Sequence, residues 1–116
     1  MNHSLELTVI PRTDHLTQVA LAGRLDAIGV DQVGPRFQAT IAARGKPAII
    51  DLSSVDFITS LGLGMLLSAA RSLHSRGARA VIVNPQPLVM KVLETANMPA
   101  VIPVVSTVAE AESLLA

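Results

Sequence analysis

The 116-residue chain has no cysteine, which excludes disulfides, thiolate metal sites and a cysteine nucleophile and fits a reducing compartment. Tyrosine and tryptophan are also absent, and Phe37 and Phe57 are the only aromatic residues. The stacking platform that single-stranded nucleic acid needs is therefore missing. An excess of charge is lacking too: nine basic and nine acidic side chains cancel, so no overall field gathers nucleic acid, anionic membrane or acidic substrates. No apolar run approaches the roughly 18 residues of a membrane span, and Met1 to Glu6 has neither the basic start nor the apolar centre of a signal peptide. These absences predict a cytoplasmic protein without membrane insertion or a nucleic-acid partner, recognised through local shape.

Half of the residues are apolar, enough for one sizeable core and a single domain over residues 1–116. Leu5 to Pro11 and Leu16 to Gly23 alternate apolar with polar around the turn-like Arg12-Thr13-Asp14-His15, which predicts a hairpin of two half-buried strands. From Val30 the apolar positions Val33, Phe37 and Ile41 recur at helical spacing until Gly45, where a C-cap is expected; Gly34-Pro35 weakens the first turns. Ala48 to Leu52 is apolar on nearly every residue, as a strand covered on both faces should be. Ser53 to Thr59 reads as a loop. Helical spacing returns from Ser60 to Arg76 and closes at Gly77. Ala80 to Val83 is another buried strand, and Pro87 suits the first turn of a third helix carrying Leu88, Val92, Leu93 and Ala96. A weak strand over Val101 to Val105 and a short helix over Val108 to Leu115 finish the chain. This order predicts an α/β fold: a mostly parallel sheet of about five strands, an antiparallel N-terminal hairpin and about four helices.

In such a sheet, functional groups gather beyond the carboxyl ends of the strands, where loops open onto helix N-termini. That rule selects Asp26, after the second strand, Asp51, at the apparent end of the third, and Ser60, opening the second helix. Each also has a plain structural use. A Ser or Asp before a helical pattern serves as an N-cap, and an Asp at a strand end serves as a turn-former. Gly62 and Gly64 add weight to the second helix start, because each glycine costs a helix roughly 1 kcal/mol relative to alanine. Something must come close to the backbone there, either a strand of the same chain or the surface of another protein. Leu61 should face outward beside the Ser60 hydroxyl, as a docking surface would.

Enzymatic chemistry finds little support. A Gly-x-Ser-x-Gly elbow around Ser60 would need glycine where Ile58 stands. His3, His15 and His74 have no metal-like spacing, Gly62-x-Gly64 reaches Leu67 where a dinucleotide fingerprint needs glycine, and there is no Gly-Lys-Ser/Thr phosphate loop. No catalytic residue, metal or cofactor is expected.

The run Asp51-Leu52-Ser53-Ser54-Val55-Asp56-Phe57-Ile58-Thr59-Ser60-Leu61-Gly62-Leu63-Gly64-Met65-Leu66-Leu67 resembles the signature of the STAS family, the bacterial anti-sigma factor antagonists. Gly23-Arg24-Leu25-Asp26 resembles the family's Gly-x-Leu-Asp, and Pro87-Leu88-Val89 its Pro-x-Val helix start. The resemblance implies partner switching. The unphosphorylated protein binds an anti-sigma factor that is also an ATP-dependent serine kinase, phosphorylation ends the binding, and a metal-dependent PP2C-type serine phosphatase restores it. Ser60 matches the phosphoacceptor and Asp26 an acidic rim position, so the partner-binding residues would be Asp26, Asp51, Thr59, Ser60, Leu61, Gly62, Leu63 and Gly64. Thr59 and Leu61 stand where many members carry Asp and Ser; both changes make the site less polar, and Thr59 becomes a rival acceptor. A monomer or weak homodimer is expected. Two other readings stay open: a non-phosphorylated STAS adaptor or scaffold in a stress-signalling or transport assembly, and a small-molecule or nucleotide sensor.

Overall fold

The protein's computed structural model describes residues 5–10 and 14–116. His3, Pro11, Arg12 and Thr13, and with them the first half of the expected hairpin turn, lie outside the described residues. Two strands, β1 (Glu6–Ile10) and β2 (Thr17–Leu25), pair antiparallel. They are followed by α1 (Ala27–Ile41), β3 (Ala48–Ile58), α2 (Ser60–Ser75), β4 (Ala80–Val83), α3 (Pro87–Thr95), β5 (Val104–Val105) and α4 (Val108–Leu115). The sheet order is β1-β2-β3-β4-β5, parallel from β2 onward. Strands therefore lie in sequence order, as short crossovers through single helices require.

One face of the sheet carries most of the core. Val19 and Leu21 of β2 and Ile50 and Leu52 of β3 meet Phe37 and Ile41 of α1, Leu66 and Leu73 of α2, and Val89 and Leu93 of α3. The other face is covered over Ile49, Val81 and Val83 by α4 through Ala111 and Val108. Being apolar on both faces, β3 and β4 are central, which is why they read as unbroken apolar runs.

Three expectations are corrected. Helix α1 begins at Ala27, three residues before Val30, and ends at Ile41, short of Gly45. Its start is set by Asp26, whose Oδ1 accepts the Gly29 N–H at 2.8 Å. Past its end, the Ala42 and Ala43 carbonyls accept from Arg76 Nη1 at 2.8 and 2.9 Å in place of helical donors. In α3 the core face is Val89 and Leu93, while Leu88 and Ala96 are exposed.

The third correction bears on the site. Ser53 to Ile58 continues β3 as a strand. Against β2, the register skips a residue between Asp51 and Ser54 and another between Val55 and Phe57. Each skip is a bulge that puts one extra residue on β3. Buried residues are consequently Leu52, Val55 and Ile58, spaced by three where a regular strand has two, and so the segment resembled a loop. Asp51 is then no strand end. It pairs with Ala20 and Val83 in mid-sheet, and its Oδ1 accepts the Ser53 N–H at 2.8 Å where the ladder is broken.

Candidate functional site

At the carboxyl ends of β2 and β3, Leu25 and Ile58 are register partners. One residue on, the Leu25 carbonyl accepts both the Thr59 N–H at 3.0 Å and the Thr59 hydroxyl at 3.1 Å. This pair of hydrogen bonds fixes the start of α2 against the end of β2, so Asp26 and Ser60 flank one junction. Asp51 does not join them. It precedes Ile58 by seven residues of bulged strand, about 20 Å at the usual strand rise.

The helix-cap position belongs to Thr59, and Ser60 is the first helical residue. The Thr59 hydroxyl is turned to donate to Leu25 and accepts no N–H from α2, so the helix start has no side-chain cap. At α1 the equivalent place is taken by the Asp26 carboxylate. The first N–H groups of α2 thus keep their positive dipole end open. Ser60 is exposed, and its hydroxyl makes no hydrogen bond among the described residues. It does not have the cap role.

Asp26 holds its carboxyl below the ordinary 3.8, chiefly through the Gly29 N–H, with partial desolvation opposing and Arg24 assisting. Arg24 Nε lies 3.3 Å from Asp26 Oδ2, and its guanidinium sits 4.1 Å above the centre of the Phe57 ring. The ring and the carboxylate together pin the arginine over the strand ends.

Ser60 opens into a groove of about 610 Å³ between the end of β3, the start of α2 and α3. Its walls are mainly apolar, with Phe57, Leu63, Leu88 and Val92 prominent, and its only charged residues are Asp56 and Lys91. Leu88 is 74% and Leu61 is 55% exposed, and Phe57 is exposed as well. Sequence reasoning placed Leu61 outward, as found. It missed Phe57, inside the supposed loop, and gave Leu88 only as an apolar position of the third helix; the signal for the latter was a second apolar stripe, Leu88 and Val92, beside the first, Val89 and Leu93.

The two glycines separate. Gly62 is buried, and a Cβ there would stand 2.6 Å from the Leu25 carbonyl oxygen, so its partner is internal. Gly64 is exposed with nothing within 4 Å of a Cβ. No contact in the fold requires it. Leu63 is half-buried against the core and also lines the groove. Among the described residues no group of three His, Asp or Glu could hold a metal, and no helix is long and apolar enough to cross a membrane.

A parallel sheet with an N-terminal hairpin and an unbonded serine beginning an exposed helix defines a class of small α/β binding domain. The STAS domain pattern matches residues 6–111, and the chain belongs to the STAS family. It is 28% identical over 99 residues to the anti-sigma F factor antagonist of Lysinibacillus sphaericus, covering 84% of this chain and 81% of that one. The fold matches an anti-sigma factor antagonist from Mycobacterium paratuberculosis with a TM-score of 0.86 at 22% identity, over 99% of this chain and 97% of the other. It also matches the Bacillus cell fate determinant SpoIIAA in its phosphorylated form, with a TM-score of 0.71 at 23% identity, over 96% and 100%.

Proposed function

We propose that this chain is an anti-sigma factor antagonist that does no chemistry of its own and works by partner switching at Ser60. Unphosphorylated, it binds an anti-sigma factor that is also an ATP-dependent serine kinase, and so frees a sigma factor. Phosphorylation of Ser60 ends that binding, and a PP2C-type phosphatase restores it. The relatives' names support the antagonist role, and one relative was solved in a phosphorylated form. The single observation that carries the reading is the Ser60 hydroxyl, exposed and unbonded on the first turn of α2 at the mouth of an apolar groove.

A phosphoserine adds a charge of about −1.5 to −2 at neutral pH. On the free protein it meets the open N–H groups of α2 and water, so the fold accommodates it. Pressed against a partner by Leu61, Leu63 and the groove, the same dianion is stripped of water at an effective cost of several kcal/mol unless a cation meets it. Since about 1.4 kcal/mol is tenfold in affinity, binding falls by about 100-fold or more without a change of fold. Exposed Gly64 lets a partner's surface approach the helix backbone, and Asp26 offers a charge on the same rim. Gly62 acts indirectly by seating α2. Asp51, in mid-sheet, is withdrawn from the contact surface.

Mass spectrometry after incubation with the cognate kinase and ATP tests this. Phosphate on Ser60, with loss of co-elution, supports the switch. Stable binding with no phosphate on Ser60 indicates instead an adaptor or scaffold subunit.

A further inference from the structure

Far from Ser60, a second cleft of about 460 Å³ opens between the C-terminal half of α2, the approach to β4 and the turn preceding β5. Arg71 and His74, one turn apart on α2, form one wall, and Arg79 reaches it from the start of β4. The rest is small and apolar, including Ala78, Ala100 and Pro103. We infer that this cleft binds a small phosphate-bearing anion.

The charge distribution carries the inference. The chain as a whole has no net charge, yet between Asp56 and Glu94 it has no acidic residue at all, while Arg71, His74, Arg76, Arg79 and Lys91 all fall there. Arg76 is occupied by the Ala42 and Ala43 carbonyls. Arg71, His74 and Arg79 make no ion pair or side-chain hydrogen bond among the described residues. Three cationic or ionisable side chains thus border one cleft whose lining includes no carboxylate. The groove beside Ser60, by contrast, has one residue of each sign.

The end of α2 would repel an anion if its carbonyls were bare. They are not. The Ser72 carbonyl accepts the Ser75 hydroxyl, that of Leu73 accepts the Arg76 and Ala78 N–H groups, and that of His74 accepts the Gly77 N–H. The cleft's side chains also include no hydroxyl or amide to read a neutral ligand's hydrogen-bond pattern. Recognition falls to charge and to the planar fork of two arginines, which suits the oxygens of phosphate. The small walls leave room for a group larger than a single phosphate. His74 and Ser60 are 14 residues apart on one helix, about 21 Å at 1.5 Å per residue, so this site stands or falls independently of phosphorylation.

The test is a titration of the ¹⁵N-labelled protein with sodium pyrophosphate against sodium chloride of equal ionic strength, followed by amide shifts. Saturable shifts confined to residues 70–80 and 98–103 in the pyrophosphate arm alone are expected. Arg71→Gln and Arg79→Gln should each weaken binding by about tenfold, the effect of one charge-assisted hydrogen bond, with the thermal midpoint unchanged. Lys46→Gln, an exposed cation elsewhere, should leave the affinity as it was. Equal shifts in chloride, undiminished binding by the Arg71→Gln/Arg79→Gln double variant, or binding of an oligoglutamate peptide but not of pyrophosphate would overturn the assignment.

Discussion

A Cβ on Gly62 would stand 2.6 Å from the Leu25 carbonyl oxygen and 2.9 Å from the Leu25 Cβ. Glycine is what allows α2 to start against the end of β2, and it thereby sets Ser60 beside Asp26. Gly62→Ala should destabilise the fold by about 1–3 kcal/mol, the range for overpacking a tight contact. Gly64→Ala, into open space, should stabilise it by up to about 1 kcal/mol through helix propensity, yet weaken partner binding. Thermal unfolding of both variants checks the first part; shifts of opposite sign are required, and two destabilised variants would contradict it.

Charge at Ser60 should act on binding and not on folding. Ser60→Asp is expected to keep the wild-type far-UV spectrum and bind the kinase partner at least about 100-fold more weakly, following the desolvation of an anion in an apolar contact. Calorimetry of the two proteins against that partner decides. A mutant that binds as tightly as wild type counts against the mechanism.

Thr59 and Ser60 differ in what their hydroxyls are doing. The former donates to the Leu25 carbonyl from a half-buried position, the latter is unbonded and exposed. Phosphate should therefore vanish in Ser60→Ala and not move to Thr59. Thr59→Val should cost about 1 kcal/mol, one net hydrogen bond, while leaving Ser60 a substrate. Phosphopeptide mapping of both variants provides the check, and label on Thr59 in Ser60→Ala would refute the assignment.

Asp26 should make folding stability depend on acid pH. Its folded-state carboxyl titrates below the ordinary 3.8 because the Gly29 N–H, foremost, and Arg24 favour the charged form. A depressed value means that the contribution is complete above about pH 5 and disappears as pH falls through 3.8 towards the folded-state value. Asp26→Asn keeps an acceptor for Gly29 but cannot ionise. The difference in melting temperature between wild type and Asp26→Asn should be constant at neutral pH and shrink on acidification; parallel profiles down to pH 2 would exclude the linkage.

The relation between sequence and structure differs from element to element. Composition and periodicity alone determined the class of fold. Unbroken apolar runs at Ala48 to Leu52 and Ala80 to Val83 require strands covered on both faces, and the helical repeats between them leave a parallel sheet as the economical solution. The outward Leu61 and the exposed Ser60 were legible too, because the spacing of Leu63, Leu66, Leu67, Ala70 and Leu73 already fixes which side of α2 is buried.

Only tertiary structure decided the rest, since it depended on where two distant segments meet. The two bulges of β3 come from its pairing with β2, and they turn a period of two into a period of three, hiding a strand and moving Asp51 into mid-sheet. Whether Gly62 or Gly64 serves the fold turns on the position of the Leu25 carbonyl, 37 residues upstream of Gly62. Whether Thr59 or Ser60 offers a free hydroxyl turns on that same oxygen. Local sequence encodes dihedral preference and the side of a helix that faces inward; it does not encode the far carbonyl that a hydroxyl or a Cβ will meet.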